Sequence, residues 1–269
     1  MTAFVLLALG ITWAAWAPAA ADSHGLLPIE LGAAEGPLYL LGGIGPMVAA
    51  WIVLRNQHGS AAERRLFAPL ARWRVHPGWY LLALAGPVLP AVGALATTGR
   101  LDAVLADLEV SWMWAWALVI RLLAAVPEEV AWRGFALPRW QARYGGLGAS
   151  LIIGVVWALW HLPLLLDRDN VMSASPVVLY AFSVLATSVV YTWVFNSTGG
   201  SVLILTLLHG AGNAAGDVFF GDDATLWEAF HTVDAVVMTA LAVVLVLVLG
   251  TRLSSRTLPR ADPEEAGRP

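Results

Sequence analysis

Eight stretches of mostly apolar residues, near 2–20, 37–54, 78–97, 110–127, 147–166, 176–195, 201–220 and 232–250, divide the chain. Each approaches the ~20 residues that a helix needs to cross a hydrocarbon layer about 30 Å thick. The pattern predicts an all-α polytopic membrane protein, a bundle of about eight transmembrane helices. The fourth stretch is expected to continue as helix through two adjacent glutamates toward Arg139, because Pro138 is the one strong breaker between Val130 and Trp140. No repeat or low-complexity segment interrupts the series. Residues 1–250 therefore read as a single transmembrane domain, and the polar remainder, 251–269, as a disordered cytoplasmic tail.

The segments between the stretches alternate in charge. Arg55, Arg64, Arg65, Arg72 and Arg74 follow the second, Arg139 and Arg143 the fourth, and Arg252, Arg256 and Arg260 the eighth. The intervening loops are acidic: Asp22, Glu30 and Glu35 follow the first stretch, Asp102 and Asp107 the third, Asp167 and Asp169 the fifth, and Asp217, Asp222 and Asp223 the seventh. By the positive-inside rule both termini are cytoplasmic, although Arg100 and Arg168 fall on the acidic side. The first stretch ends in Ala19, Ala20 and Ala21, which imitate a signal-peptide cleavage site. No Arg or Lys precedes its apolar run, however, and Trp13 and Trp16 interrupt it, so it is read as a span.

Composition narrows the class further. With 59% hydrophobic residues, 13% charged residues and a mean hydropathy of +0.71, the chain departs from soluble domains, in which roughly 25% of residues are charged. A net charge of −4 and the lack of any dense basic run exclude a nucleic-acid partner. The absence of cysteine removes disulfides, thiol nucleophiles and thiolate-bound metals. All 15 basic residues are Arg, a bias that fits a GC-rich bacterial genome, and the expected location is the bacterial inner (cytoplasmic) membrane.

Against this apolar background three predicted helices carry polar side chains four residues apart: Glu129 with Arg133, Trp157 with His161, and His209 with Asn213. Residues at that spacing share a helix face. At 1.5 Å per residue Glu128, His161, His209 and Asn213 also fall in one layer, on the order of 15–22 Å from the cytoplasmic ends of their segments. An ionisable side chain at mid-membrane costs about 2.5–3.5 kcal/mol, so such residues mark function by default. Glu129 with Arg133 would serve as a structural ion pair, and Asn213 as a bond between packed helices. Glu128, about 100° around the helix from Glu129, has no cation at the right spacing. A carboxylate without a fixed counter-charge is suited to exchanging a proton. Arg121 is read as its electrostatic partner, as lining an outer vestibule, or as snorkelling toward the outer surface, and the 14 Trp as interfacial anchors or packing.

The run Glu128 to Arg133 reads EEVAWR, an E-E-x-x-x-R pattern continued by Gly134, Phe135, Leu137, Pro138 and Arg139. It resembles the first motif of the CPBP (Abi) family, the bacterial relatives of type II C-a-a-X prenyl proteases. The family's F-x-x-x-H has its counterpart in Trp157 to His161, with Trp in place of Phe, and its H-x-x-x-N in His209 to Asn213. The resemblance covers about 110–216 and implies an eight-helix intramembrane endopeptidase acting on membrane-anchored peptides or proteins. By that resemblance Glu128 and His161 activate a water, His209 and Asn213 stabilise the oxyanion, and Glu129 with Arg133 order the helix and help to position substrate.

Glu128, His161 and His209 would also make a Glu-His-His set for Zn²⁺ with a fourth position open to water. The residue types do not demand a metal, no H-E-x-x-H is present, and the expectation is that no cofactor is required, with zinc as the alternative. No G-x-S-G or G-x-G-D supports a serine or aspartyl membrane protease. The rival readings are a proton-coupled transporter, disfavoured because no inverted repeat is visible, and a non-proteolytic membrane partner of the bacteriocin-immunity type.

Overall fold

A computed structural model describes residues 1–102 and 112–254. Asp107, and Arg256 and Arg260 of the tail, lie outside the described residues. All regular structure among the described residues is helical. In chain order the helices are α1 (Thr2–Ser23), α2 (Glu35–His58), α3 (Ala62–Phe67), α4 (Pro77–Ala85), α5 (Val88–Thr97), α6 (Trp112–Glu129), α7 (Leu137–Trp160), α8 (Leu162–Leu166), α9 (Val177–Ser197), α10 (Val202–Phe220) and α11 (Ala224–Leu249). A π-helical turn, Val130–Ala136, joins α6 to α7, so the helix does run on through the glutamate pair.

Seven helical runs among the described residues are long and apolar enough to cross a membrane. Eight stretches were expected; the difference lies in one run, Ala115–Trp160, which is 46 residues long. A straight helix of that length would reach ~70 Å, more than twice the hydrocarbon thickness of about 30 Å. The chain turns within it at Gly145, where φ is 72° and ψ is 179°, a region open almost only to glycine. The fourth and fifth apolar stretches are the two arms of this turn.

Proline interrupts three of the long helices, at Pro18, Pro46 and Pro127. Neighbouring helices make such breaks tolerable inside a membrane. Polar caps fix the ends of others: Ser201 Oγ accepts from Ile204 N at the start of α10, and Asp223 Oδ1 accepts from Thr225 N and Leu226 N at the start of α11. The outward faces keep large apolar side chains exposed, Leu40, Leu81, Phe182 and Leu247 among them. That is the surface expected of a protein whose surroundings are lipid.

Inside, α1 packs along α2, α6 against α10, α7 against α9, and α9 against α11. The approach of α6 to α10 depends on Gly210, where an added Cβ would lie 3.0 Å from the Leu122 main chain. Small residues at such crossings let backbones come close. An aromatic cluster seats the π turn: Phe4 packs on Trp132 and Phe135, with ring centroids 5.6 and 4.9 Å apart. Trp160 lies against Trp16 and donates to Thr12 Oγ1 at 2.6 Å. Of the expected tail, Leu253 is fully buried, and its carbonyl and that of Arg252 accept from Asn196 Nδ2 at 3.3 Å each.

Candidate active site

The glutamate pair ends α6 directly after Pro127, where the helix widens into the π turn, a distortion often found at functional sites. Glu129 and Arg133 point into the bundle and are fully buried, with Arg133 Nη1 donating to Glu129 Oε1 at 2.8 Å. The guanidinium carbon lies 4.2 Å from the Trp157 ring centroid and 4.8 Å from that of Tyr191. Aromatic faces thus supply part of what water would give a buried cation. The same Glu129 oxygen is 2.9 Å from His209 Nδ1. Because a carboxylate accepts, that imidazole nitrogen carries the proton.

His209 turns its other nitrogen, Nε2, toward Glu128 Oε1 at 4.0 Å. This is too long for a hydrogen bond and is a gap of the kind a single water bridges. Glu128 Oε2 accepts from Trp157 Nε1 at 2.8 Å. The acid expected to stand alone thus has a neutral donor on one oxygen and an imidazole facing the other. His161 Nδ1 is 2.9 Å from the Trp157 carbonyl, which can only accept, so a neutral His161 keeps Nε2 as an acceptor. Its ring is held among Trp157, Trp160 and Tyr180, with centroids 5.9, 4.5 and 5.5 Å away.

Glu128, Glu129, Arg133 and His209 therefore form one connected group, drawn from α6, the π turn and α10. His161, from the end of α7, joins it through Trp157; no hydrogen bond links it to Glu128 among the described residues. Asn213 stands one turn beyond His209, half-buried, with no hydrogen bond among the described residues. As placed, Glu128, His161 and His209 do not fit a metal: among the described residues no three His, Asp or Glu side chains form a group able to hold an ion.

Arg121 is not drawn to Glu128 but stays partly exposed. It pairs with Asp217 through two bonds, Nε to Oδ2 at 2.5 Å and Nη2 to Oδ1 at 2.6 Å. Asp217 accordingly belongs to α10 and not to the loop after it, eight residues and two turns beyond His209 on the same face.

Several polar residues escaped the sequence reading. Trp157 shares a helix face with His161, which was a usable signal, but its indole N–H was not anticipated as a partner for the acid. Tyr191 closes one wall, its ring 6.2 Å from His209 and 6.1 Å from Trp157. On α11, Asp234 accepts from Ser183 Oγ at 2.5 Å and His231 hydrogen-bonds with Ser175. Asp234 was legible as the lone charge in the eighth apolar stretch.

This arrangement can be set beside known proteins. Residues 110–215 match the family model described as type II CAAX prenyl endopeptidase Rce1-like. The match agrees with the resemblance of this segment to the CPBP family. The segment contains the glutamate pair, both motif histidines and Asn213. A CAAX prenyl protease 2 from Methanococcus maripaludis is 31% identical over 98 residues, a match covering 34% of this chain and 36% of that protein. The similarity to this relative thus spans about a third of its length.

Proposed function

We propose that this protein is an intramembrane endopeptidase that hydrolyses peptide bonds of membrane-anchored peptides or proteins with a water activated by Glu128. The observation that carries this reading is the setting of Glu128: a carboxylate inside an apolar bundle with Oε2 held by the Trp157 indole and Oε1 facing His209 Nε2 across 4.0 Å. The match of residues 110–215 to a prenyl endopeptidase family supports it.

In the proposed reaction Glu128 Oε1 takes a proton from water as the water oxygen bonds to the carbonyl carbon. The free Nε2 of His161 accepts the water's second hydrogen bond and aligns it. His209 sits between two carboxylates, and its imidazolium form is paired at Nδ1 with Glu129, so that Nε2–H is free to donate to the oxyanion. Asn213, whose amide makes no bond among the described residues, is the second donor. Donors fixed in a water-poor site are worth far more than in water. Glu128 then returns its proton to the leaving nitrogen as the C–N bond breaks, which gives a carboxylic acid and an amine. Glu129 and Arg133 do no proton transfer; they hold His209 and the widened turn.

Each step uses side chains alone, and the mechanism is proposed as metal-independent. The test is cleavage of a membrane-anchored peptide by the purified protein in detergent or liposomes. Glu128→Gln is expected to abolish turnover while preserving the thermal unfolding midpoint, and a chelator to leave turnover unchanged. Wild-type turnover in Glu128→Gln overturns the mechanism. Loss of turnover with chelator, restored by Zn²⁺, overturns its metal independence.

A further inference from the structure

The family pattern places Phe four residues before the first motif histidine, and this chain places Trp157 there. The change enlarges the ring and adds one hydrogen-bonding group, the indole N–H, and the structure aims that group at the acid: Trp157 Nε1 donates to Glu128 Oε2 at 2.8 Å. We propose that Trp157 is a positioning residue for Glu128, fixing the carboxylate so that Oε1 alone faces the reacting water. The functional consequence rests on the proteolytic reading above; the hydrogen bond and its effect on the carboxylate do not.

The indole is in a position to impose geometry because it is itself immobilised. It is 5% exposed. The Arg133 guanidinium covers one part of the ring, and the His209 and His161 rings pack on it with centroids 5.6 and 5.9 Å away. A side chain so packed cannot rotate without displacing three of the polar groups of the site. The terminal torsion of a glutamate is broad and roughly two-fold, so an unbonded carboxylate would present either oxygen to the cavity. With Oε2 bound to the indole, Oε1 is the oxygen left opposite His209 Nε2. Trp157 acts on the first histidine as well, since its carbonyl holds His161 Nδ1. A single residue thereby orients both groups proposed to activate water, one through its side chain and one through its main chain. Phenylalanine would keep the carbonyl but lose the hold on Glu128.

The experiment removes the N–H and little else. Full-length protein carrying 3-benzothienylalanine at 157, with sulfur in place of N–H, is compared with wild type, Trp157→Phe and a 5-fluorotryptophan form that retains the donor. Two readouts are taken: kcat and KM on a cleaved membrane peptide, and the infrared carboxyl band of Glu128, identified by its loss in Glu128→Gln. The benzothienyl form should fall in kcat on the order of tenfold or more, as expected for losing a hydrogen bond to a charged group. Its KM should stay at the wild-type value, its unfolding midpoint should fall by no more than the loss of one hydrogen bond accounts for, and its Glu128 band should shift. The 5-fluorotryptophan form should match wild type in both readouts. An unshifted band with unchanged kcat in the benzothienyl and Phe forms overturns the proposal. If wild-type protein cleaves nothing, the proteolytic reading fails, and the infrared band alone still decides whether Trp157 holds Glu128.

Discussion

Glu129 makes the two charged contacts on which the site's polar order depends, to Arg133 Nη1 and to His209 Nδ1 through one oxygen. Glu129→Gln leaves the Arg133 cation fully buried without its counter-charge, and breaking one side of a buried pair typically destabilises by about 3–5 kcal/mol. A lowered unfolding midpoint in detergent is the expected result. The double variant Glu129→Gln with Arg133→Met removes both charges and should recover most of that loss, because apolar replacement of a buried pair is often neutral or stabilising. It should remain inactive, since His209 has lost its carboxylate. Recovery of activity together with stability would show that the pair is structural alone. At this scale Glu128, Glu129, Arg133 and the two histidines were visible in the sequence, because an ionisable side chain in an apolar run is conspicuous. The partner of Glu128 was not, since whether an indole reaches a carboxylate 29 positions earlier depends on a rotamer set by packing.

Two glycines carry much of the architecture at the level of elements. Gly210 adjoins His209 and lets α10 touch the backbone of α6. Gly210→Val would force the helices apart at Leu122 and widen the 4.0 Å gap between His209 and Glu128. Overpacking of this kind destabilises by about 1–3 kcal/mol, and activity should fall further than stability does; wild-type turnover in the folded variant would count against the helix contact as the determinant of site geometry. Gly145 turns the chain between two arms of one helical run. Gly145→Ala should lower stability by about 1–3 kcal/mol, the strain of a side chain in that backbone region, read as the shift in unfolding midpoint. The apolar pattern located both arms, yet it gave no notice of the π turn, because Val130–Ala136 carries no proline and its weakest helix former, Gly134, does not by itself distinguish a π turn from an α-helix.

Across the molecule, the alternation of Arg-rich and acidic segments predicts that both ends of the chain lie on the cytoplasmic face. A phosphatase that is active only outside the cytoplasm, fused after Ser254, should be silent, and a fluorescent protein fused there should be bright; the reverse pattern would refute the orientation. The start of the tail is anchored by burial of Leu253 and by the Asn196 bonds, so fusion beyond it leaves those contacts intact. The sequence by itself determined the solvent of this protein, the placement of its spans, and which polar residues are too expensive in lipid to be there without a role. Those properties are sums over local composition and spacing, and a linear chain displays them. Only the tertiary structure decided which of those residues touch: that Arg121 belongs to Asp217, that His209 bridges toward both glutamates, and that the Trp157 indole donates to Glu128. Such pairings depend on how close two helices approach and on the direction in which each side chain leaves its backbone, and neither is a property of any one segment.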